Sequence, residues 1–256
     1  MEVEYTNKYK YLGEIVNDKM NLEYQLKSIK SKAEGAFQTI LSLAGDPLLK
    51  GIEMESVWKM IETCILPIIT YGGETWEMTP KEKGTANKLL TDLLKRSLQL
   101  PTSTPSEVLY IEMGFLDVDH AIKMNRYRMA HRLHNNSNTL ITTAINSKAK
   151  ESWKKTTEND MKSNNINNDY ESSKQVFKSE VKTKINDAFK MHINKEIQEK
   201  DKRKAKFLLN GIKDWIPGKR AQYLNSLNRH AASIVFKART RMLDVKNNYR
   251  GKYKDL

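Results

Sequence analysis

Between Met20 and Ala44 apolar residues return every three or four positions, at Leu22, Leu26, Ile29, Ala33, Phe37 and Ile40. That spacing lines them up along one stripe of an α-helix and on no single face of a strand. The same period recurs downstream. Met54, Val57, Trp58, Ile61, Ile65 and Ile68 share a broad face between about Lys50 and Ile69, where Pro67 should kink or shorten the end. Only six prolines and eleven glycines punctuate 256 residues, so long helices are favoured over a turn-rich β fold. The hydrophobic content of 39% permits a core spread thinly over several helices.

Asn17 or Asp18 can cap the first helix, and AGDP at 44–47 stops it. YGGETW at 71–76 reads as a two-glycine turn, and a third helix spans about Lys81 to Leu98 before Pro101. In TSTPSE, Thr104 is a candidate cap, with Pro105 at the first helical position and Glu107 as the capping-box acid. A short helix to Glu112 and a longer one from about Val118 to His134 follow, with Asp119 near the positive end of the dipole. Residues 154–174 show no period and are rich in Asn, Lys, Ser and Asp, so they read as a flexible connection. Beyond it, Val176 to Ile197 has Val181, Ile185, Ala188 and Phe189 as its stripe. A last helix, about Lys219 to Val245, would bury Leu224, Leu227, Ala231, Ile234, Ala238 and Met242. Before all of these, KYKYLGEIVND at 8–18 reads as strand, tight turn and strand. The expected fold is mainly α: a hairpin at 1–19, a helical domain at 20–153, the connection at 154–174 and a basic helical region at 175–256.

The formal charge is +13, and a cation excess of this size suits a polyanionic partner. The charge is concentrated: Lys219 to Lys254 holds ten lysines and arginines against the single acid Asp244. On the last helix, Arg229 and Lys237 should point away from the apolar stripe, with Arg239 and Arg241 on its flanks. Lys27, Lys30 and Lys32 flank the first helix. A solvated surface would account for the same charges.

Catalytic signatures are sparse. One cysteine, Cys64, allows no internal disulfide, and its apolar neighbours suggest a buried, inert thiol in a reducing, intracellular setting. His131 and His134 could share a helix face, but two nitrogens without further ligands do not make a metal site. GGET lacks the length and lysine of a phosphate-binding loop. Neither a cofactor nor a metal is expected. The start, MEVEYTNK, has no apolar signal region, and no apolar run reaches the roughly 18 residues needed to span a bilayer.

Four stretches in order resemble the C-terminal part of a LINE-type (non-LTR) retrotransposon reverse transcriptase, an RNA-directed DNA polymerase. KYKYLGEIVND resembles the hairpin that leads from the palm into the thumb and lies under the primer end. LPIITYGGETWEMTPKE at 66–82 resembles the family's hydrophobic helix ending in Tyr-Gly-x-Glu-x-Trp. TPSEVLYIEMGFLDVDHAI at 104–122 resembles its Thr-Pro…Glu-x-Gly element. VFKARTRMLDVKNNY at 235–249 resembles the arginine-rich stretch before its Cys/His knuckle.

The resemblance implies a thumb-like bundle and linker. Tyr11, Leu12 and Gly13 would form the primer-side turn, and Lys27, Lys30 and Lys32 would flank a template–primer duplex. Arg229, Lys237, Arg239 and Arg241 would contact phosphates. It implies RNA or a DNA–RNA duplex as partner, or a separate protein supplying a palm. The sequence holds no adjacent pair of aspartates, and polymerisation needs carboxylates that hold two metal ions; the expectation is a non-catalytic remnant. Three other readings stand beside it. The hairpin could be an ordinary edge hairpin covering the helices. The helices could be a protein–protein scaffold, with Trp58, Trp76, Trp153 and Trp215 as anchors if exposed. The chain could also be a residual gene product without a selected role.

Overall fold

Lys8–Tyr11 (β1) and Glu14–Asn17 (β2) pair antiparallel with Tyr11 opposite Glu14, leaving only Leu12 and Gly13 to connect them. Both turn residues have positive φ, 47° and 90°, the combination that matches a two-residue connection to the twist of the strands. Gly13 takes this conformation without steric penalty; Leu12 takes it under strain. This computed structural model describes residues 6–19, 21–43, 53–136, 138, 143, 151–167, 172–199, 205, 208 and 215–243. Among them the hairpin is the only sheet, and the protein is mainly helical, as its periodicity implies. Helices follow at Glu23–Leu43 (α1), Met54–Met60 (α2), Leu66–Thr70 (α3), Pro80–Ser97 (α4), Ser106–Met113 (α5) and Val118–His134 (α6). Glu151–Ser163 (α7), Lys174–Glu199 (α8), Tyr223–Ser226 (α9) and Arg229–Arg239 (α10) complete the set.

The chain forms two compact units, each assembled from three segments. The first comprises Met1–Ala33, Pro67–Lys88 and Asp117–Phe189; the second comprises Glu34–Leu66, Leu89–Leu116 and Lys190–Leu256.

In the first unit the hairpin is tied to the start of α1, where the Gln25 side-chain oxygen accepts the Ile15 N–H at 3.0 Å. Helix α4 opens on a capping box. The Thr79 hydroxyl accepts the Glu82 N–H, and a Glu82 oxygen accepts the Thr79 N–H at 2.8 Å. The other Glu82 oxygen takes the Leu22 N–H at 3.1 Å. Asp117 caps α6 by accepting the His120 N–H at 2.8 Å. Helix α7 packs against α6, and α8 buries Phe177, Val181, Ile185 and Phe189.

The segment expected as a flexible connection is helical from Lys154 to Ser163 and again at Lys174. Thr157, Met161 and Ile166 are buried along it. One inward residue per turn suffices to dock a helix whose other positions are polar, a pattern too sparse to register as a period.

In the second unit, α2 continues through a π-helical turn, Ile61–Ile65, in which the Leu66 N–H bonds to the Ile61 carbonyl. The wider turn immediately precedes Pro67, whose missing N–H breaks the regular ladder. Ile61 and Ile65 are buried, while Cys64 between them is exposed rather than buried as its apolar neighbours suggested. Helix α5 begins at Ser106 with Pro105 as its extended N-terminal neighbour. Thr104 does not cap it; its hydroxyl donates to the Pro101 carbonyl at 2.7 Å. Gly114 ends α5 in the left-handed region at φ 69°. A Cβ there would lie 2.6 Å from the Lys219 carbonyl oxygen. The close approach is held by the Gly218 N–H to the Gly114 carbonyl and the Ala221 N–H to the Glu112 carbonyl, both 2.9 Å.

The expected single last helix is interrupted. Leu227 is extended and Asn228 caps α10 by accepting the Ala231 N–H at 2.9 Å. The buried residues are Leu224, Ala232, Ser233, Phe236 and Thr240; Ile234 is 44% exposed, and Leu227, Ala231 and Met242 are only half-buried while Ala238 is exposed. Arg241, left-handed at φ 53°, closes the end, with the Met242 N–H reaching back to the Lys237 carbonyl at 2.7 Å. The expected stop at 44–47, residues 168–171 of the connection and residues 244–256 lie outside the described residues.

Candidate nucleic-acid interface

Every residue of β1 is exposed. Strand alternation sends Lys8 and Lys10 to one face and Tyr9 and Tyr11 to the other. The Lys8 ammonium lies 5.3 Å from the centre of the Tyr24 ring on α1. Tyr9 and Tyr11 are 65% and 63% exposed, and Leu12 at the tip is 77% exposed. A strained, exposed leucine flanked by open tyrosine rings is an arrangement that folding alone does not favour.

The tip is held by the second motif of the sequence. The Tyr71 hydroxyl donates to the Leu12 carbonyl at 2.6 Å. The Trp76 indole donates to a Glu14 carboxylate oxygen at 3.0 Å. The 71–76 turn is fixed from behind by Arg126, buried on α6. Its Nε donates to the Glu74 carbonyl at 3.2 Å, and its Nη2 donates to the carbonyls of Gly73 and Trp76. The Trp153 indole adds a bond to the Glu74 carbonyl at 2.9 Å. Tyr11, Leu12 and Gly13 thus sit on a braced platform. Tyr71 is the tyrosine of the Tyr-Gly-x-Glu-x-Trp motif, which does not disclose what its hydroxyl bonds, and the signal for Arg126 is an arginine at an inward position of α6.

The cations expected on α1 lie in the same unit. Lys27, Lys30 and Lys32 are all exposed. Lys27 pairs with Glu23 at 2.8 Å, one turn away, and this hydrogen bond raises the lysine pKa and lowers that of the glutamate. Both groups are exposed, so water screens the pair.

The four expected cations of the last helix and its end belong to the second unit, and Arg229 and Arg239 are held by bonds within it. Arg229 does not point away from the protein. Its Nε donates to the Ser97 carbonyl at 2.6 Å and its Nη2 to the Arg96 carbonyl at 2.7 Å, which satisfies the C-terminal carbonyls of α4 and complements its dipole. Burial pushes its pKa down. Arg239 clamps Glu112, whose side chain is 0% exposed: Nη2 donates to Oε1 at 2.9 Å and Nε to both oxygens at 3.1 Å. The Tyr223 hydroxyl donates to Oε2 at 2.6 Å. Arg239 also lies over the Tyr223 ring at 5.6 Å. Lys237 is half-buried and Arg241 exposed. Arg229 thus serves as a cap rather than pointing outward, and Arg239 is a counter-ion whose side chain stays part-exposed.

The four tryptophans are engaged rather than presented. The indoles of Trp58 and Trp215 donate to the Leu224 carbonyl at 3.0 Å and the Asn194 side-chain oxygen at 3.3 Å, and both side chains are buried. Trp76 and Trp153 hold the turn described above. Among the described residues no group of three His, Cys, Asp or Glu could hold a metal ion, and no helix is long and apolar enough to cross a membrane. Comparison with protein-family models, with curated proteins and with solved structures finds no match to this chain.

Proposed function

We propose that the protein binds nucleic acid without sequence selectivity, as a non-catalytic piece related to the thumb of a reverse transcriptase. The observation that carries the reading is β1: a strand of alternating lysine and tyrosine, exposed along its whole length, on a hairpin braced by Tyr71, Glu14 and Trp76. Lysines contact the phosphate backbone, and open aromatic rings stack on unpaired bases at a duplex end. Lys27, Lys30 and Lys32 on α1 add cations to the same unit. The order of the four sequence motifs supports the same assignment.

The test is a binding titration with a DNA–RNA hybrid bearing a short single-stranded overhang, across a range of salt. Affinity should fall by roughly 0.9 log unit per log unit of salt for each phosphate contact. Changing Lys27, Lys30 and Lys32 together to Gln should flatten that slope by about two to three units. Tyr9→Ala with Tyr11→Ala should weaken only the overhang substrate, by about 1–3 kcal/mol per stacked base. Unchanged binding and slope in both variants would refute the assignment. In a primed-template extension assay with Mg²⁺ or Mn²⁺ the protein should incorporate no nucleotides. Template-dependent incorporation would overturn the non-catalytic part of the reading.

A further inference from the structure

A cavity of about 640 Å³ opens between α6 and the first turns of α8. Arg128 and Arg132 line it from one helix and Lys174 and Lys178 from the other, each pair four residues apart. That spacing puts both members of a pair on one helical face. Among the described residues, the one carboxylate on the wall is that of Glu74. Like charges on facing helices repel one another. Among the described residues, no side chain of the four is in an ion pair or hydrogen bond within the chain.

Arg128 is the sharpest case. Its Nε is shielded from solvent and lacks a hydrogen-bond acceptor. A shielded guanidinium nitrogen without an acceptor is costly, and Arg128 stands on the cavity wall with no carboxylate paired to it among the described residues. Desolvation depresses the Arg128 pKa, in keeping with this. Lys174, Lys178 and Arg132 are exposed around it. The wall is rigid: the His131 ring stacks on Phe177 at 4.3 Å and lies 3.1 Å from the Ser172 carbonyl, which joins α6 to the start of α8. Helix α8, 26 residues long, presents its positive N-terminal end on the same wall.

We infer that this cavity binds a terminal phosphate group, with Arg128 as the inner donor and Arg132, Lys174 and Lys178 closing over a dianion. A phosphate monoester carries about two negative charges at neutral pH and three acceptor oxygens, which suits convergent donors from two helices. A backbone diester offers one charge and is flanked by sugars on both sides. The shared chemistry is a phosphate monoester, supplied either by a free mononucleotide or by the 5′ end of an oligonucleotide. This goes beyond the duplex-backbone reading and does not depend on it, because none of its probes is a duplex.

The experiment is calorimetric titration of the full chain with inorganic phosphate, with adenosine monophosphate, and with a tetranucleotide bearing or lacking a 5′-phosphate. Inorganic phosphate and adenosine monophosphate should bind. Arg132→Gln with Lys174→Gln and Lys178→Gln, all exposed positions that leave the packing intact, should weaken both at least tenfold. Arg128→Gln should do the same, with circular dichroism checking that it folds. Lys59→Gln with Lys195→Gln, exposed lysines outside the cavity lining, should leave both unchanged. If the 5′-phosphate strengthens tetranucleotide binding tenfold in the parent but not in the triple variant, the source is a nucleic-acid end. If mononucleotide binding is intact and the 5′-phosphate adds nothing, the source is a free phosphate compound. Failure of the parent to bind inorganic phosphate and mononucleotide, or equal binding by parent and triple variant, would overturn the inference whatever the duplex assay gives.

Discussion

Arg239→Met would test whether the Glu112 clamp holds the second unit together. The Glu112 side chain is 0% exposed, and Arg239 supplies three of the four hydrogen bonds it receives, at 2.9–3.1 Å. With Arg239 gone, only the Tyr223 hydroxyl at 2.6 Å remains. Removing one partner of a buried ion pair and leaving the other charge in place costs about 3–5 kcal/mol. For a chain of this size each kcal/mol moves Tm by about 2–4 °C, so Tm should fall by about 6–20 °C. Glu112→Gln alone should cost less, about 1–2 kcal/mol, because the part-exposed Arg239 can turn to water and the amide oxygen still accepts from Tyr223. The double variant Glu112→Gln with Arg239→Met buries no unpaired charge and should be more stable than Arg239→Met by about 1 kcal/mol or more on the same grounds. Scanning calorimetry gives the midpoints. Hydrogen exchange should show protection lost in α5 and α10 while α6, in the other unit, keeps its own. An Arg239→Met midpoint within about 2 °C of the parent, or a double variant no better than the single, would mean that solvent already stabilises the carboxylate and the reasoning fails.

Gly114→Ala should cost about 2 kcal/mol or more, because the left-handed backbone penalises any Cβ and the Lys219 carbonyl oxygen would lie 2.6 Å from it; a thermal midpoint equal to the parent's would contradict the close approach. Burial, and then the neighbouring Glu112 carboxylate, raises the Tyr223 pKa, and burial followed by Asp160 raises that of Tyr127. A raised tyrosine contributes stability that is fully present below the unfolded value near 10 and is lost as pH rises beyond it. Urea midpoints should therefore drop above about pH 10, and the drop should be shallower in Tyr127→Phe. Burial works against the Asp119 carboxylate, but hydrogen bonding to Lys83 at 2.6 Å and the charges of Lys123 and Lys83 prevail and hold its pKa down. That contribution is present above the unfolded value near 3.9 and is lost as pH falls through the lower folded value, so Asp119→Asn should be less stable than the parent at pH 7 and converge with it near pH 2. A constant difference across that range would exclude the ion pair as its source.

Helices whose inward positions are mostly apolar were legible. Ile29, Ala33, Phe37 and Ile40 are buried on α1, and Leu22 just before it, as their spacing implies. On the last helix the inward set includes Ser233 and Thr240, and the Thr240 hydroxyl satisfies itself on the Phe236 carbonyl at 2.7 Å. A stripe containing hydroxyls is invisible to an apolar count, so the expected face was displaced and the break at Asn228 passed unseen. At the candidate interface Gly13 announces the tight turn, because glycine takes a positive φ without penalty, whereas the strained left-handed Leu12 leaves no mark in the sequence. The bracing by Tyr71 and Trp76 joins positions about 60 residues apart and leaves no local mark. The Glu112 clamp is equally remote in sequence. Its one trace is a glutamate in an otherwise apolar run, VLYIEMGF, which invites the question of what neutralises it.

The alternation of segments between the two units bears on how the chain is made. The first unit has its last segment in hand once Phe189 has been synthesised, whereas the second still lacks everything from Lys190 onward. At about 5–20 residues per second the interval lasts several seconds. Through it, Trp58 waits for the Leu224 carbonyl and Glu112 waits for its arginine. The nascent protein therefore passes through a state with one finished body and two stretches, Glu34–Leu66 and Leu89–Leu116, holding apolar and acidic groups without their partners. Such a state is what chaperones recognise and what aggregates when they are scarce. A message truncated just after the Phe189 codon would make that transient permanent.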